Sequence, residues 1–194
     1  MISLGLIALV TLAANSLTRL RFIALAFVGI ALVASLIAWT AASTAQVTVT
    51  AAAGLAAAGI LFVAARDRTY GEDPGWRLWL GTFVAAIVTP LAYASFRTIT
   101  GEPTGLPLLQ DGSGVVVEVA GTWLLSSGIA IMLTARSAVR ASLAALVMVT
   151  GVQLLARLAP EPHLASTLVL AWLEVVVALT GAYLIVNERA VRDA

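Results

Sequence analysis

Charged residues divide the chain into seven apolar stretches, each about long enough to cross a lipid bilayer as a helix. Such a helix needs roughly 17–25 apolar residues to span about 30 Å of hydrocarbon. The second and third stretches are separated only by the weak break at Ala42-Ser43-Thr44-Ala45, without which the apolar run is too long for one crossing. The predicted spans are 2–18, 22–43, 46–66, 76–96, 114–135, 138–158 and 164–187.

The placement of arginine predicts the orientation of these spans, because cytoplasmic loops retain positive charge. With seven spans, only Arg97 and Arg157 fall on one side of the bilayer, and this asymmetry disappears if a span is added or removed. We therefore expect the N-terminus outside and the C-terminus in the cytoplasm. The nine arginines on the cytoplasmic side are Arg19, Arg21, Arg66, Arg68, Arg77, Arg136, Arg140, Arg189 and Arg192.

Composition supports the same class of protein. Hydrophobic residues make up 61% of the chain and charged residues 11%, with a mean hydropathy of +1.02. A water-soluble surface needs many more charges, about a quarter of all residues in ordinary globular proteins. We predict an all-α, polytopic transmembrane helical bundle that forms one domain over residues 1–194, located in the inner (cytoplasmic) membrane. The longest predicted loop, 97–113, is too short to hold a soluble catalytic domain.

Several kinds of chemistry are excluded or unsupported by the residues present. The absence of cysteine excludes disulfides, thiolate metal sites and iron–sulfur ligation. The single histidine, His163, has no second histidine or acid cluster beside it and is a poor metal ligand candidate. Basic residues form no patch that would bind nucleic acid. We expect no cofactor, no metal and no enzymatic activity of the chain by itself.

Two features of the spans predict local structure. Gly54 and Ala58 form a small-xxx-small pair, which allows helix backbones to approach closely in lipid. Pro90 removes one backbone donor from the fourth span and should kink it, with Thr89 available to satisfy a freed carbonyl.

Polar side chains within the spans are the candidates for function. Glu174 falls about ten residues into the last span, near the middle of the bilayer at about 1.5 Å per residue, and Glu118 lies near the start of the fifth span. An unpaired charged carboxylate inside a membrane costs several kcal/mol. Each glutamate must therefore be protonated, paired or in contact with a hydrated interior.

Helical spacing predicts the neighbours of these two glutamates. Glu118 shares a face with Thr122 and Ser126, and Thr150, Gln153 and Arg157 share a face of the sixth span. Antiparallel packing would place Arg157 or Gln153 beside Glu118. In the last span, Glu174 shares a face with Thr167, Ala171 and Gly181.

Two interpretations of these polar residues remain open. They can form a path that passes protons, with Glu174, Glu118, Gln153, Thr150 and Arg157 as candidates. They can instead form a hydrogen-bonded clamp between helices or a contact with a partner subunit. Helical spacing is compatible with both.

The organisation of the chain resembles the membrane subunit hydrogenase-4 component E, whose last three spans are similar to subunit K of respiratory complex I. The resemblance rests on arginine-bearing turns and the small and apolar residues around them, and the subunit K-like unit covers 114–187. The quoted segments are Ser16-Leu17-Thr18-Arg19-Leu20-Arg21, Arg66-Asp67-Arg68, Thr134-Ala135-Arg136-Ser137-Ala138-Val139-Arg140, Val147-Met148-Val149-Thr150-Gly151 and Leu154-Leu155-Ala156-Arg157-Leu158-Ala159-Pro160-Glu161.

This resemblance implies a membrane subunit of a complex I-like or group 4 hydrogenase-like assembly that moves ions. Partners would be the lipid bilayer and antiporter-like membrane subunits. The family usually carries an acid just after the methionine of the sixth span, where this chain has Val149, whereas Glu174 lies within about one position of the family's acid in the last span. The alternatives are the substrate-binding membrane component of a vitamin-type transporter and a purely structural accessory subunit.

Overall fold

Seven α-helices make up the described part of the chain, which in the computed structural model comprises residues 2–17, 20–39, 42–65, 75–100, 113–158 and 164–192. This confirms the all-helical fold class. The helices are α1 (Ile2–Ser16), α2 (Leu20–Ala38), α3 (Thr44–Ala64), α4 (Gly75–Thr100), α5 (Ser113–Thr134), α6 (Ala138–Ala156) and α7 (Leu164–Arg192).

Six of the helices, α2 to α7, are long and apolar enough to cross a membrane and are compatible with a transmembrane bundle. The first helix differs because it has 15 residues, which at 1.5 Å per residue is about 22 Å and shorter than the hydrocarbon core. The predicted first span is therefore a helix, but one that is short for a complete crossing. The count of seven spans stays a prediction.

The predicted spans begin within two residues of the observed helices but end less accurately. The predicted ends of the second and seventh spans each differ from the helix ends by about five residues, since α2 ends at Ala38 and α7 at Arg192. The error that affects the site is at α4, which continues to Thr100 and carries Arg97 in its last turn, whereas we predicted a loop from residue 97. The prediction ended the span before Arg97 because an unpaired charge is costly inside a membrane. In the structure, Glu118 neutralises Arg97 inside the bundle. The rest of the predicted loop, 101–112, lies outside the described residues.

Serine side chains begin two of the helices. Ser43 forms a capping box with Gln46: its hydroxyl accepts from the Gln46 N–H at 3.4 Å, and the Gln46 side chain accepts from the Ser43 N–H at 3.1 Å. Ser137 caps α6 by accepting from the Arg140 N–H at 3.4 Å. The weak break predicted between the second and third spans is thus a true helix start.

The helices pack in two groups, which meet where α1 and α5 pack on α2 and where α5 packs on α6. One group is a ring in which α2 packs on α3, α3 on α7, α7 on α6, and α6 on α2. In the other group, α1 and α4 pack against α5, which in turn packs against α6. We call the end where α2, α4 and α6 finish and α3, α5 and α7 begin the upper end, and the opposite end the lower end.

At each end of the bundle, hydrogen bonds join residues that are far apart in the sequence. At the upper end, Arg157 just after α6 reaches Gln46 and Thr50 in the first two turns of α3. At the lower end, the Glu188 carboxylate on α7 accepts from the Ala138 N–H at the start of α6, at 2.9 Å. The ring of α2, α3, α6 and α7 is therefore closed at both ends by hydrogen bonds.

Small residues allow the helices of the ring to pack closely, as predicted for Gly54 and Ala58 in α3. A Cβ added at Gly54 would lie 2.7 Å from the Ala31 Cβ on α2, a distance that real Cβ atoms do not adopt. Ala58, one turn further, is also buried. The small-residue pair therefore packs within this chain, where it brings α3 against α2.

Pro90 lies on an exposed face of α4, which is helical on both sides of it. The prediction for Thr89 was wrong in detail. Its hydroxyl donates to the carbonyl oxygen of Ala85 at 2.7 Å, whereas the carbonyl that loses its helical donor to proline is four residues before it, at Ala86.

Candidate functional site

Glu174 lies at the centre of the ring formed by α2, α3, α6 and α7. It is 1% exposed and lies in the apolar part of α7. A Cβ placed at Gly54, the middle residue of α3, would lie 3.5 Å from the Glu174 Oε1 atom. Glu174 therefore lies at the level of the middle of α3.

The hydrogen-bond partner of Glu174 is a neutral amide. Gln153 on α6 donates from Nε2 to the Glu174 Oε2 atom at 2.9 Å, and both side chains are buried. No arginine within the described residues forms an ion pair with this carboxylate. The polar stripe predicted on α6 therefore meets Glu174, whereas we had expected Gln153 or Arg157 beside Glu118.

Arg157 lies above this pair, at the C-terminal cap of α6. Its Nη2 atom donates to the Thr50 hydroxyl at 3.0 Å and to the Gln46 carbonyl oxygen at 3.4 Å. The Nη1 atom is buried without a hydrogen-bond partner within the part of the chain that the structure describes. A cation at a helix C-terminus is favoured by the helix dipole, but a buried donor without a partner costs about 1–3 kcal/mol.

A small cavity of about 10 Å³ lies between these groups. That is about the space that one water molecule needs, provided that polar partners surround it. The polar residues that line the cavity come from all four helices of the ring or their caps, and they are Ser35, Thr50, Thr150, Gln153, Arg157 and Glu174.

Thr150 occupies the predicted position on the cavity wall but does not bond to Glu174. Its hydroxyl donates to the Leu146 carbonyl oxygen of its own helix at 2.9 Å. Val149, the residue that replaces the family's acid, does not line this cavity. It lines an apolar groove of about 290 Å³ among α5, α6 and α7, together with Met148 and Leu173.

Glu118 has a different environment from the one that its sequence position suggested. It is buried and pairs with Arg97, whose Nε lies 3.1 and 3.2 Å from the two carboxylate oxygens and whose Nη2 lies 2.9 Å from Oε2. The predicted contacts of Glu118 with Arg157 or Gln153 are therefore wrong. Arg97 occupies this place because α4 continues one turn further than predicted. The shared buried face of Glu118, Thr122 and Ser126 is confirmed.

The two arginines that we predicted on the outer side of the membrane are both buried inside the bundle. Arg97 is 5% exposed and Arg157 is 7% exposed. A third arginine, Arg140, is buried at the lower end and donates to the carbonyl oxygens of Asn15 and Leu17 at 3.1 and 2.8 Å. It thereby satisfies carbonyls that the end of α1 leaves without helical donors.

Sequence patterns missed part of the polar network. Thr50 and Gln46 were not among the predicted site residues, although they bind Arg157. Asn15, whose side chain donates to the Thr82 hydroxyl at 2.6 Å, was missed as well. The signal for Thr50 was its spacing of four residues from Gln46 and from Gly54, which puts all three on one face of α3.

No group of three or more histidine, cysteine, aspartate or glutamate side chains that could hold a metal ion occurs within the described ranges. His163 lies outside those ranges. The arrangement around Glu174 is therefore that of a single carboxylate with a neutral donor and a small polar cavity. Comparison of the chain with protein families, with curated proteins and with solved structures finds no match.

Proposed function

We propose that this chain is an integral membrane subunit of a complex I-like or group 4 hydrogenase-like assembly that moves ions, and that Glu174 belongs to its proton path. The observation that carries the proposal is the state of Glu174: a carboxylate 1% exposed, hydrogen-bonded to a neutral amide and next to a polar cavity. Ionisable groups buried in membrane helices mark ion and proton pathways.

The competing role for Glu174 is to hold two helices together. A second buried glutamate, Glu118, shows what such a structural contact looks like in this chain. Where a buried carboxylate holds two helices together, at Glu118, it is paired with an arginine through two donor atoms. Glu174 has no such counter-charge within the described residues. A group that takes up and releases a proton needs this freedom, because a tight ion pair would hold it in the charged form.

The cavities inside the bundle give less support to the alternative role as the substrate-binding component of a vitamin-type transporter. Sites for small molecules are usually about 300–1,000 Å³, whereas the polar cavity beside Glu174 is about 10 Å³. The larger groove, about 290 Å³, lies among Met132, Met148 and Leu173 and is almost wholly apolar. A polar vitamin would find few hydrogen-bonding groups there.

The test is ion pumping by the intact assembly, purified through a tag on this chain in mild detergent. Antiporter-like subunits should co-purify, and redox-driven proton uptake into vesicles should be lost with Glu174→Gln. That variant keeps the size of the side chain and its ability to bond to Gln153 but cannot bind and release a proton. Thr180→Val, on an exposed turn of α7, should pump normally and is the matched control.

Three results would each contradict a part of this proposal. A chain that purifies alone and stable would contradict the role as a subunit. Normal pumping by Glu174→Gln would leave only the structural role. The orientation that accompanies the proposal, with the C-terminus in the cytoplasm, would be contradicted by a reporter after α7 that is active only outside the cell.

A further inference from the structure

Two small cavities near Glu174 share one wall. Both are lined by Thr50, Gln153 and Arg157. The first continues down to Glu174, and the second continues up to Ser166 and Thr167 in the first turn of α7. Ser166 is exposed at the upper end. Together the cavities outline a polar route from the upper surface of the bundle to the buried carboxylate.

The space below Glu174 is filled instead by apolar side chains. Ala178, one turn further along α7, and Leu146 on α6 are 0% exposed, and Leu61 on α3 is 1% exposed. Packing is also close at Gly181, where an added Cβ would meet the Ser142 hydroxyl and would lie 2.6 Å from the Ser142 Cβ and 3.4 Å from the Leu61 Cδ2. Protein interiors packed in this way leave no room for water.

Arg157 stands at the wall between the two cavities. Its Nη2 atom is held by Thr50 and Gln46, while its Nη1 atom is buried with no partner among the residues described. Each cavity measures about 10 Å³, about the space of one water molecule. Water in either cavity would find polar partners in Thr50, Gln153 and the guanidinium group.

We propose that water reaches Glu174 from the upper end of the bundle only, past Thr167 and Gln153, and that the Arg157 guanidinium closes this route until it moves. The proposal rests on the function proposed above, because it assigns to the proton path a single side of entry within this chain. Arg157 is a gating residue here, and the apolar packing around Ala178 is the barrier to the lower side.

The chain is suited to a direct test because it contains no cysteine. Thr150→Cys places a thiol on the wall of the cavity, and Ala178→Cys places one in the apolar packing below. The parent side chains are similarly buried, 4% and 0% exposed, so the pair is matched in burial and differs in contact with the route. Silver ions, which are small and bind thiols, are added to sealed vesicles of either orientation, and the remaining thiols are counted with maleimide after denaturation.

We expect that silver blocks the later maleimide reaction of the Thr150→Cys thiol when it is added on one face of the membrane only. Silver added on either face should leave the Ala178→Cys thiol free to react. Protection of Thr150→Cys from both faces, or equal behaviour of the two thiols, would overturn the single-sided route. The cysteine-free parent chain gives the background signal.

The gate is tested in the Thr150→Cys chain. Arg157→Ala should raise the rate of silver protection at least tenfold, while Arg157→Lys, which keeps the charge, should raise it less. Arg157→Gln replaces the alanine variant if that one does not fold, and an unchanged rate in the folded variants would overturn the gating role. These measurements need no pumping. A confirmed route together with normal pumping by Glu174→Gln would therefore reject the proposed function and keep the route.

Discussion

The two buried glutamates of this chain have opposite surroundings. Glu118 lies at the upper end between α4 and α5, where Arg97 neutralises it through three contacts of 2.9 to 3.2 Å. Glu174 lies in the middle of the other group of helices, and among the described residues it has one hydrogen bond, with a neutral amide at 2.9 Å. Glu174 is the more deeply buried, at 1% exposed against 6%.

The difference between the two sites leads us to propose different roles for the two glutamates. A charged pair with good geometry satisfies both of its members and fixes two helices relative to each other, at a cost in desolvation. A buried carboxylate without a counter-charge contributes less to helix packing than such a pair, which fits the proton-path role that we propose for Glu174. The predictions below test whether the first glutamate is structural and the second is not.

The largest effect on stability is expected from Arg97→Leu. Removing the guanidinium leaves Glu118 buried without its counter-charge, which costs about 3–5 kcal/mol in comparable pairs. The free energy of unfolding, measured by denaturant titration in mixed micelles, should fall by that amount.

The double variant Arg97→Leu with Glu118→Leu is the control for this experiment. Because it removes both charges together, it should recover most of the lost free energy, since apolar residues often replace a buried pair without loss. A double variant as unstable as Arg97→Leu alone would mean that the charge pair is not what holds α4 to α5.

An intermediate effect is expected from Gly54→Ala. The added methyl group would meet the Ala31 Cβ at 2.7 Å and approach the Glu174 Oε1 atom to 3.5 Å, and overpacking of this kind costs about 1–3 kcal/mol. Gly59→Ala on the same helix is the matched control, because nothing lies within 4 Å of a Cβ there. Equal unfolding free energies for the two variants would show that α2 and α3 can separate without cost.

Much of the fold could be predicted because apolar runs and turn residues act locally. Ser43 and Ser137 cap helices where the pattern placed breaks, and both capped helices begin within two residues of the prediction. The end of α4 could not be predicted in this way. Whether Arg97 ends a helix or continues it depends on Glu118, a partner 21 residues later whose position the local pattern does not contain.

The candidate site was predicted in its parts but not in its pairing. The faces of Glu174 and of Gln153 followed from helical spacing, and both residues are buried as expected. The partner of each glutamate depends on how the helices are arranged around the bundle, and α6 packs on both α5 and α7. Sequence spacing gives the face of a helix but not the neighbour which that face meets, so Gln153 was assigned to Glu118.

The smallest effect on stability is expected from Glu174→Gln, the variant that should abolish pumping. Its amide can still accept from Gln153, and a hydrogen bond between membrane helices contributes about 0.6 kcal/mol on average. The unfolding free energy should therefore change by less than about 1 kcal/mol. The same substitution at Glu118 removes the charge that Arg97 needs and should cost several times more. Glutamine keeps the size of the side chain and its hydrogen bonding and removes only the charge. A similar loss of unfolding free energy at both positions would therefore mean that the charge of Glu174 holds helices together as that of Glu118 does.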